Sequence, residues 1–174
     1  GRPKGALTTH RNIVVNGIHT SDGLGFTADD IYLGMFSVFA HPHELFHRSI
    51  LFGGSFVVVD SLNPRIIAEV VARYKVRWMM AVPSFYEMML EANEKASLDL
   101  SSLRVLESGG AYVSPETLER MERSFKATFM PVWGCTEATG VGLGMRADRP
   151  VKAGSTGLPM DGYEFRILDE DGQE

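Results

Sequence analysis

Val76-Arg77-Trp78-Met79-Met80-Ala81 leads, with only Val82 between, into Pro83-Ser84-Phe85-Tyr86-Glu87-Met88-Met89-Leu90-Glu91-Ala92. The first run is short, mainly apolar and closed by a proline, the pattern of a buried strand. The second runs about ten residues with proline at its first position, where a helix loses nothing by lacking an N–H. The same alternation extends upstream. A helix from Leu45 to Phe52 turns through Gly53-Gly54 into a buried strand, Ser55 to Val59, and Asn63-Pro64 then opens a helix to about Tyr74. Downstream, Leu98-Asp99-Leu100-Ser101-Ser102-Leu103-Arg104 introduces the strand Val105-Leu106, and Ser114 caps a helix that begins at Pro115. Short apolar strands alternating with helices specify an α/β fold, a mostly parallel sheet with helices on both faces. Such sheets bind ligands outside the carboxyl ends of their strands, so the turns there are where chemistry is sought.

Two of those turns carry unusual residues. Val105-Leu106 runs out at Ser108-Gly109-Gly110-Ala111, where adjacent glycines would let the backbone lie against a flat ring. An ordinary turn before a capped helix accounts for Ser114 onward, but not for both glycines. The second turn follows the strand-like run Thr128, Phe129, Met130, Val132 and reads Met130-Pro131-Val132-Trp133-Gly134-Cys135-Thr136-Glu137-Ala138-Thr139-Gly140. Trp133 offers a face to a base and Gly134 permits close backbone approach. The Thr136 hydroxyl can donate to an anionic oxygen, and the Glu137 carboxylate can hold a hard cation. Packing, a turn and a cap would explain the same residues one at a time.

Composition bounds the alternatives. The chain has 174 residues, 44% hydrophobic and 22% charged, enough for a sizeable core and about one domain. A formal net charge of −5 without a basic stripe argues against a nucleic-acid partner, whose phosphates require clustered Lys and Arg. The single cysteine, Cys135, excludes an internal disulfide, and no membrane-length apolar run is present. A cytoplasmic location is the default expectation. His41, His43 and His47 invite a metal reading, but zinc sites usually add closely spaced Cys or carboxylate ligands in a defined geometry, and a helix N-terminus or a substrate-facing loop also explains them.

At the N-terminus, Gly1-Arg2-Pro3-Lys4-Gly5 precedes a helical segment from about Thr8 to Ser21. A lysine between glycines at a loop-to-helix junction suits phosphate oxygens, although the spacing is not that of a Walker A loop. Asp29 and Asp30 precede a β-type run from Ile31 to Phe39. Past Glu137, the glycine-rich stretch Gly140, Gly142 and Gly144 reads as mobile. Gly154-Ser155-Thr156-Gly157-Leu158-Pro159 then leads to an expected strand, Tyr163 to Leu168, and Asp169 to Glu174 reads as the start of a hairpin turn.

Taken together, Trp133-Gly134-Cys135-Thr136-Glu137 resembles the Tyr-Gly-x-Thr-Glu motif of the adenylate-forming (AMP-binding) superfamily, which includes acyl-CoA synthetases, luciferases and peptide-synthetase adenylation domains. Gly1 to Gly5 is similar to the tail of that family's phosphate loop, whose Ser/Thr half is missing here. Asp99 to Arg104 with Ser108 to Ala111, and Gly154 to Pro159, resemble two further family runs, the last with a structural role. The resemblance implies an acyl-CoA synthetase in which ATP activates a carboxylic acid, pyrophosphate leaves, and coenzyme A takes the acyl group. It places Mg²⁺ on Glu137, an α-phosphate oxygen on Thr136 and the outgoing phosphates on Lys4. The nucleotide would lie among Gly109, Gly110, Ala111, Trp133, Gly134, Cys135 and Thr136, and the acyl pocket among His41, Ser108, Gly134 and Ala138. Where acetate-specific relatives carry a bulky Trp, this chain has Gly134, which leaves room for a longer or aromatic acid. Phe39 is followed by Ala40 rather than the Asp of amino-acid-activating members, which disfavours an amino-acid substrate. An amino-acid adenylation domain serving a carrier protein, or a non-catalytic nucleotide-binding module, stay open beside this reading. Residues 1–174 are expected to be part of the large N-terminal domain, without the start of the phosphate loop, the hinge and the C-terminal domain, and inactive alone. Exposed sheet edges leave room for a homodimer.

Overall fold

The computed structural model describes residues 2–35, 47–149 and 154–174. In chain order these form α1 (His10–Leu24), β1 (Ile31–Gly34), α2 (His47–Phe52), β2 (Ser55–Val58), α3 (Pro64–Tyr74), β3 (Trp78–Ala81) and α4 (Pro83–Ala96). Next come β4 (Val105–Ser108), α5 (Pro115–Phe125), β5 (Thr128–Cys135), a 3-10 turn (Thr136–Ala138), β6 (Gly140–Gly144) and β7 (Leu158–Pro159). One seven-stranded sheet runs β2-β1-β3-β4-β5-β6-β7. Its first five strands are parallel, and β6 and β7 continue it antiparallel.

Alternation within each strand builds two cores. Met79, Ala81, Leu106 and Phe129 point to one face, where α3, α4 and α5 bring Val71, Met89 and Met121 against them. Trp78, Met80, Val105 and Met130 point to the other, against Leu24 at the end of α1 and Phe52 at the end of α2. The helices begin where their caps dictate. The Thr9 hydroxyl accepts from the Asn12 amide and the Ser114 hydroxyl from that of Thr117, while Asn63 caps α3 ahead of its proline.

Among the described residues, buried carboxylates are paired with arginines. Asp30, inaccessible to solvent, accepts from Arg104 Nη2 at 2.8 Å and from the Thr27 amide at 2.8 Å. On β4, Glu107 accepts from Arg48 Nη2 at 2.9 Å, from Arg48 Nη1 and from Trp78 Nε1 at 3.0 Å. Both partners of that ion pair are fully buried, so losing either would strand a charge away from water.

Three sequence expectations change. The run Ser55–Val58 is not a buried strand but the sheet's edge, with Phe56 43% and Val58 65% exposed. Apolar periodicity does not distinguish an interior strand from an edge that something else covers. The glycine-rich stretch after Glu137 is not a loose segment, because Gly140–Gly144 pairs with β5 as β6. No strand forms over 163–168; the pairing in this region is made earlier, by Leu158 and Pro159 on β6. A hydrogen bond from the Asp169 amide to the Gln173 carbonyl closes a turn near the end of the chain.

Candidate functional site

The carboxyl ends of β4 and β5 open into a cleft of about 640 Å³, within the usual range for small-molecule sites. Its walls include Ser108, Gly110, Ala111, Tyr112, Trp133 and Gly134, and Met145, Ser155 and Thr156 close part of the rim. The two turns singled out by sequence thus meet across one space, because β4 and β5 are paired neighbours with Ser108 opposite Pro131.

Ser108 is 3% exposed and its Oγ has no hydrogen-bond partner among the described residues. A buried hydroxyl on a cleft wall with unused donor and acceptor capacity can bond a ligand that enters there. Beneath it β4 is braced. Glu107 is fixed by Arg48 and Trp78, and the Tyr86 hydroxyl lies 2.9 Å from the Met79 carbonyl and 2.8 Å from that of Glu107. Burial, and then the Glu107 carboxylate, push the Tyr86 phenol well above its ordinary pKa, so it remains a neutral donor. The chain then turns sharply: a Cβ on Gly109 would lie 3.1 Å from the Val132 carbonyl oxygen, and Gly110 takes φ +87. That positive φ is a conformation glycine supplies at least cost.

On the opposite wall Trp133 is 45% exposed, its ring edge held by Phe165 at a centroid distance of 5.9 Å. Gly134 has a local reason of its own, since a Cβ there would sit 2.2 Å from the Gly140 carbonyl oxygen on β6. Thr136, Glu137, Ala138 and Thr139 make the turn between β5 and β6. The Thr139 amide donates to the Thr136 carbonyl at 3.0 Å, and Thr139 itself takes φ +66. Thr136 and Glu137 are exposed at the end of β5, beyond the residues that line the cleft. Glu137 makes no hydrogen bond or ion pair among the described residues, so its carboxylate is available. Cys135 is a half-buried free thiol.

Lys4 lies in the exposed loop before α1 and does not line the cleft. His41 falls outside the described residues, as do Phe39, Ala40 and His43. His47 packs within the α1–α2 contact, where a Cβ on Gly17 would lie 2.4 Å from its ring. Among the described residues no group of three or more His, Cys, Asp or Glu could hold a metal. A single carboxylate can still take part in a magnesium site, because Mg²⁺ is commonly held by one or two carboxylates together with substrate phosphates. The cleft, the open Ser108 hydroxyl and the unpaired Glu137 carboxylate therefore fit a magnesium nucleotide.

Sequence reading missed Tyr112, 75% exposed on the cleft wall, and the ion pair under β4. Tyr112 follows Ala111 directly, so an aromatic next to the glycine turn was a usable signal. Glu107 was signalled only by a carboxylate inside an apolar strand run, with nothing in the sequence to pair it with Arg48.

Comparison with known proteins gives a consistent result. A family model described as AMP-binding enzyme matches residues 1–174. The chain is 28% identical over 180 residues to 4-coumarate–CoA ligase 4 of Arabidopsis thaliana, covering 97% of this chain and 31% of the relative. It is 30% identical over 184 residues to a feruloyl-CoA synthase of Amycolatopsis sp., covering 99% and 36%. The solved structure of Brucella canis acyl-CoA synthetase superposes with a TM-score of 0.89 at 23% identity, over all of this chain and 33% of that one. The chain thus spans about a third of the length of these relatives. No helix among the described residues is long and apolar enough to cross a membrane.

Proposed function

The chain belongs to the AMP-binding enzyme family, and from that premise we propose that it is part of the large N-terminal domain of an AMP-forming acid–thiol ligase. The observation that carries the proposal is the cleft at the ends of β4 and β5. It sets a glycine turn and an open buried hydroxyl on one wall against an exposed indole on the other. A metal-ready carboxylate stands at the end of β5. The activity is assigned to the full-length parent protein.

A carboxylate is a poor electrophile because oxide is a poor leaving group. Attack of a carboxylate oxygen on the α-phosphorus of ATP forms a mixed anhydride and breaks the bond to pyrophosphate, which departs with its charge. A thiol, proposed to be that of coenzyme A, then attacks the acyl carbon and AMP leaves. None of this requires a covalent nucleophile from the protein, so positioning and charge neutralisation are its contribution. Trp133 would stack on the adenine, whose other face would meet the Gly109, Gly110 and Ala111 backbone. Thr136 would donate to an α-phosphate oxygen, and Gly134 and Cys135 would border the nucleotide. Glu137 would hold Mg²⁺, which neutralises phosphate charge when bound. Lys4 would steady the outgoing phosphates. Ser108, Ala138 and His41 would line the acyl side, with Gly134 shared between the two.

The deciding experiment is acid-dependent exchange of labelled pyrophosphate into ATP by the full-length protein. The panel would hold acetate, benzoate, hydroxycinnamates, medium- and long-chain fatty acids, and amino acids. Exchange with one acid class supports the proposal and names the substrate group. Exchange stimulated only by amino acids would move the reading to a carrier-loading adenylation domain. Nucleotide binding without any exchange would move it to a binding module.

A further inference from the structure

The Thr136–Thr139 turn, which the proposed function makes the site of phosphate and cation contacts, is not held by its own strands alone. Asn16, 2% exposed on α1, donates from Nδ2 to the Val141 carbonyl at 2.9 Å and lies 2.9 Å from the Tyr163 hydroxyl oxygen. That hydroxyl in turn donates to the Ala138 carbonyl at 2.5 Å. A relay of two side chains, in which Asn16 reaches partners 125 and 147 positions away and Tyr163 one 25 positions away, therefore ends on the residue directly after Glu137.

The relay meets a strained point. Thr139, buried and not a glycine, occupies the left-handed region at φ +66. A β-branched residue takes that conformation only where surrounding contacts over-determine it. The Tyr163 ring also belongs to an aromatic row. Its centroid lies 6.3 Å from that of Phe165, and Phe165 lies 5.9 Å from Trp133. Both rings of the row pass over Gly142 on β6, where a Cβ would come within 3.1 Å of Phe165 and 3.5 Å of Tyr163. One residue thus reaches Ala138 with its hydroxyl and, with its ring, meets the Phe165 that in turn meets Trp133.

Resting on the proposed nucleotide reading, we infer that Asn16 and Tyr163 are positioning residues. They fix the Thr136–Thr139 turn and so aim Thr136 and Glu137, without touching substrate themselves. Because α1 directly follows the Lys4 loop, the relay also ties the proposed phosphate-facing loop to the proposed cation-facing turn.

The test uses Tyr163→Phe in the full-length protein, a change that keeps the ring packing and removes one oxygen. Amide hydrogen exchange at Thr139, Gly140 and Val141 is expected to quicken. Acid-dependent pyrophosphate exchange at saturating ATP is expected to fall about 10–100-fold, the usual effect of losing a supporting hydrogen bond behind a metal-contacting residue. The Mg²⁺ concentration for half-maximal rate should rise, and the KM for the acid should stay unchanged. Asn16→Ala should add little to Tyr163→Phe in the double variant, because the two act as one relay. Unchanged amide exchange over 139–141 overturns the inference. So does unchanged pyrophosphate exchange, provided Glu137→Gln still lowers it. Normal turnover in Glu137→Gln would instead overturn the nucleotide reading, while the amide-exchange measurement still decides whether the relay holds the turn.

Discussion

At Gly134 two explanations meet that sequence alone could not separate. A missing side chain can leave space for a substrate, or it can let two backbones approach. The structure supplies the second reason directly, since a Cβ would lie 2.2 Å from the Gly140 carbonyl oxygen and 2.9 Å from the Val141 Cα. Backbone atoms cannot swing aside as a flexible side chain can. Gly134→Ala is therefore expected to destabilise the protein by about 2–3 kcal/mol, the upper range for overpacking a tight site. Urea unfolding would measure it, and a loss under about 0.5 kcal/mol, the range of a neutral surface change, would show that β6 yields easily. Glu137 presents the opposite case, an exposed carboxylate with no hydrogen bond or ion pair among the described residues. Glu137→Gln is expected to leave unfolding within about 0.5 kcal/mol of the parent. In the full-length enzyme it should reduce adenylation by about 10²–10³-fold, the scale of removing a preorganised electrostatic contact. Near-normal exchange would sink the cation assignment. The residue types around the cleft were legible because glycine pairs, a hydroxyl and a carboxylate in short order are poor core material. What sequence could not show was which of them face one space. Ser108 and Trp133 meet only because β4 and β5 are neighbours, whereas Lys4 lies outside the lining.

At the scale of elements, three helix starts are well made and three helix ends are not. Thr9, Asn63 and Ser114 each cap with a side-chain oxygen. By contrast α3, α4 and α5 end on Lys75 at φ 53, Ser97 at φ 47 and Lys126 at φ 53, left-handed positions occupied by residues with a Cβ. That conformation costs an L-residue about 1–2 kcal/mol, and glycine avoids the penalty while losing part of the gain to chain entropy. Lys75→Gly and Lys126→Gly, both at exposed positions, are each expected to stabilise by about 0.5–1 kcal/mol and to add when combined. A thermal shift of about 2–4 °C per kcal/mol would report it, and a lowered Tm would mean that the lysines make compensating contacts. The helix starts and parallel strands were legible for a physical reason: proline, cap residue and apolar run are local signals. Two of the three failures involve non-local facts. Whether Ser55–Val58 is interior or edge depends on which strand inserts beside it. Whether Gly140–Gly144 is loop or strand depends on β5 lying within reach to pair with a run that has few side chains of its own.

The whole molecule divides into a parallel part packed between helices and an antiparallel extension, β6 and β7, that is joined to α1 by an apolar cluster of Leu24, Val141 and Met160 and by polar contacts around it. Arg146, directly after β6 in space and 8% exposed, donates from Nε to Asp148 at 2.8 Å and from Nη1 to Asp161 at 2.8 Å. The Ala147 amide donates to the Gly23 carbonyl at 2.8 Å, and His19 Nδ1 lies 2.5 Å from the Asp161 carbonyl oxygen. The guanidinium holds both carboxyls below the usual aspartate range, through its hydrogen bonds first and its charge after them. A carboxyl whose pKa is depressed on folding binds its proton more readily when unfolded. Its contribution is thus fully present above the unfolded value, about 3.9, and drains away as pH falls through the folded value. Both aspartates are more than half exposed, so solvent and salt screen the interaction and the effect is a modest one. Acid is therefore expected to loosen this clamp, and with it the Thr136–Thr139 turn that β5 and β6 share. The check is to compare Arg146→Met with the parent from pH 7 down to pH 3 at low salt, by thermal unfolding and by amide exchange over residues 140–149. The variant should be the less stable at pH 7, and the gap should close below about pH 4 as the aspartates protonate in both proteins. A gap that persists undiminished to pH 3 would mean that Arg146 acts by packing its stem and not by its charge.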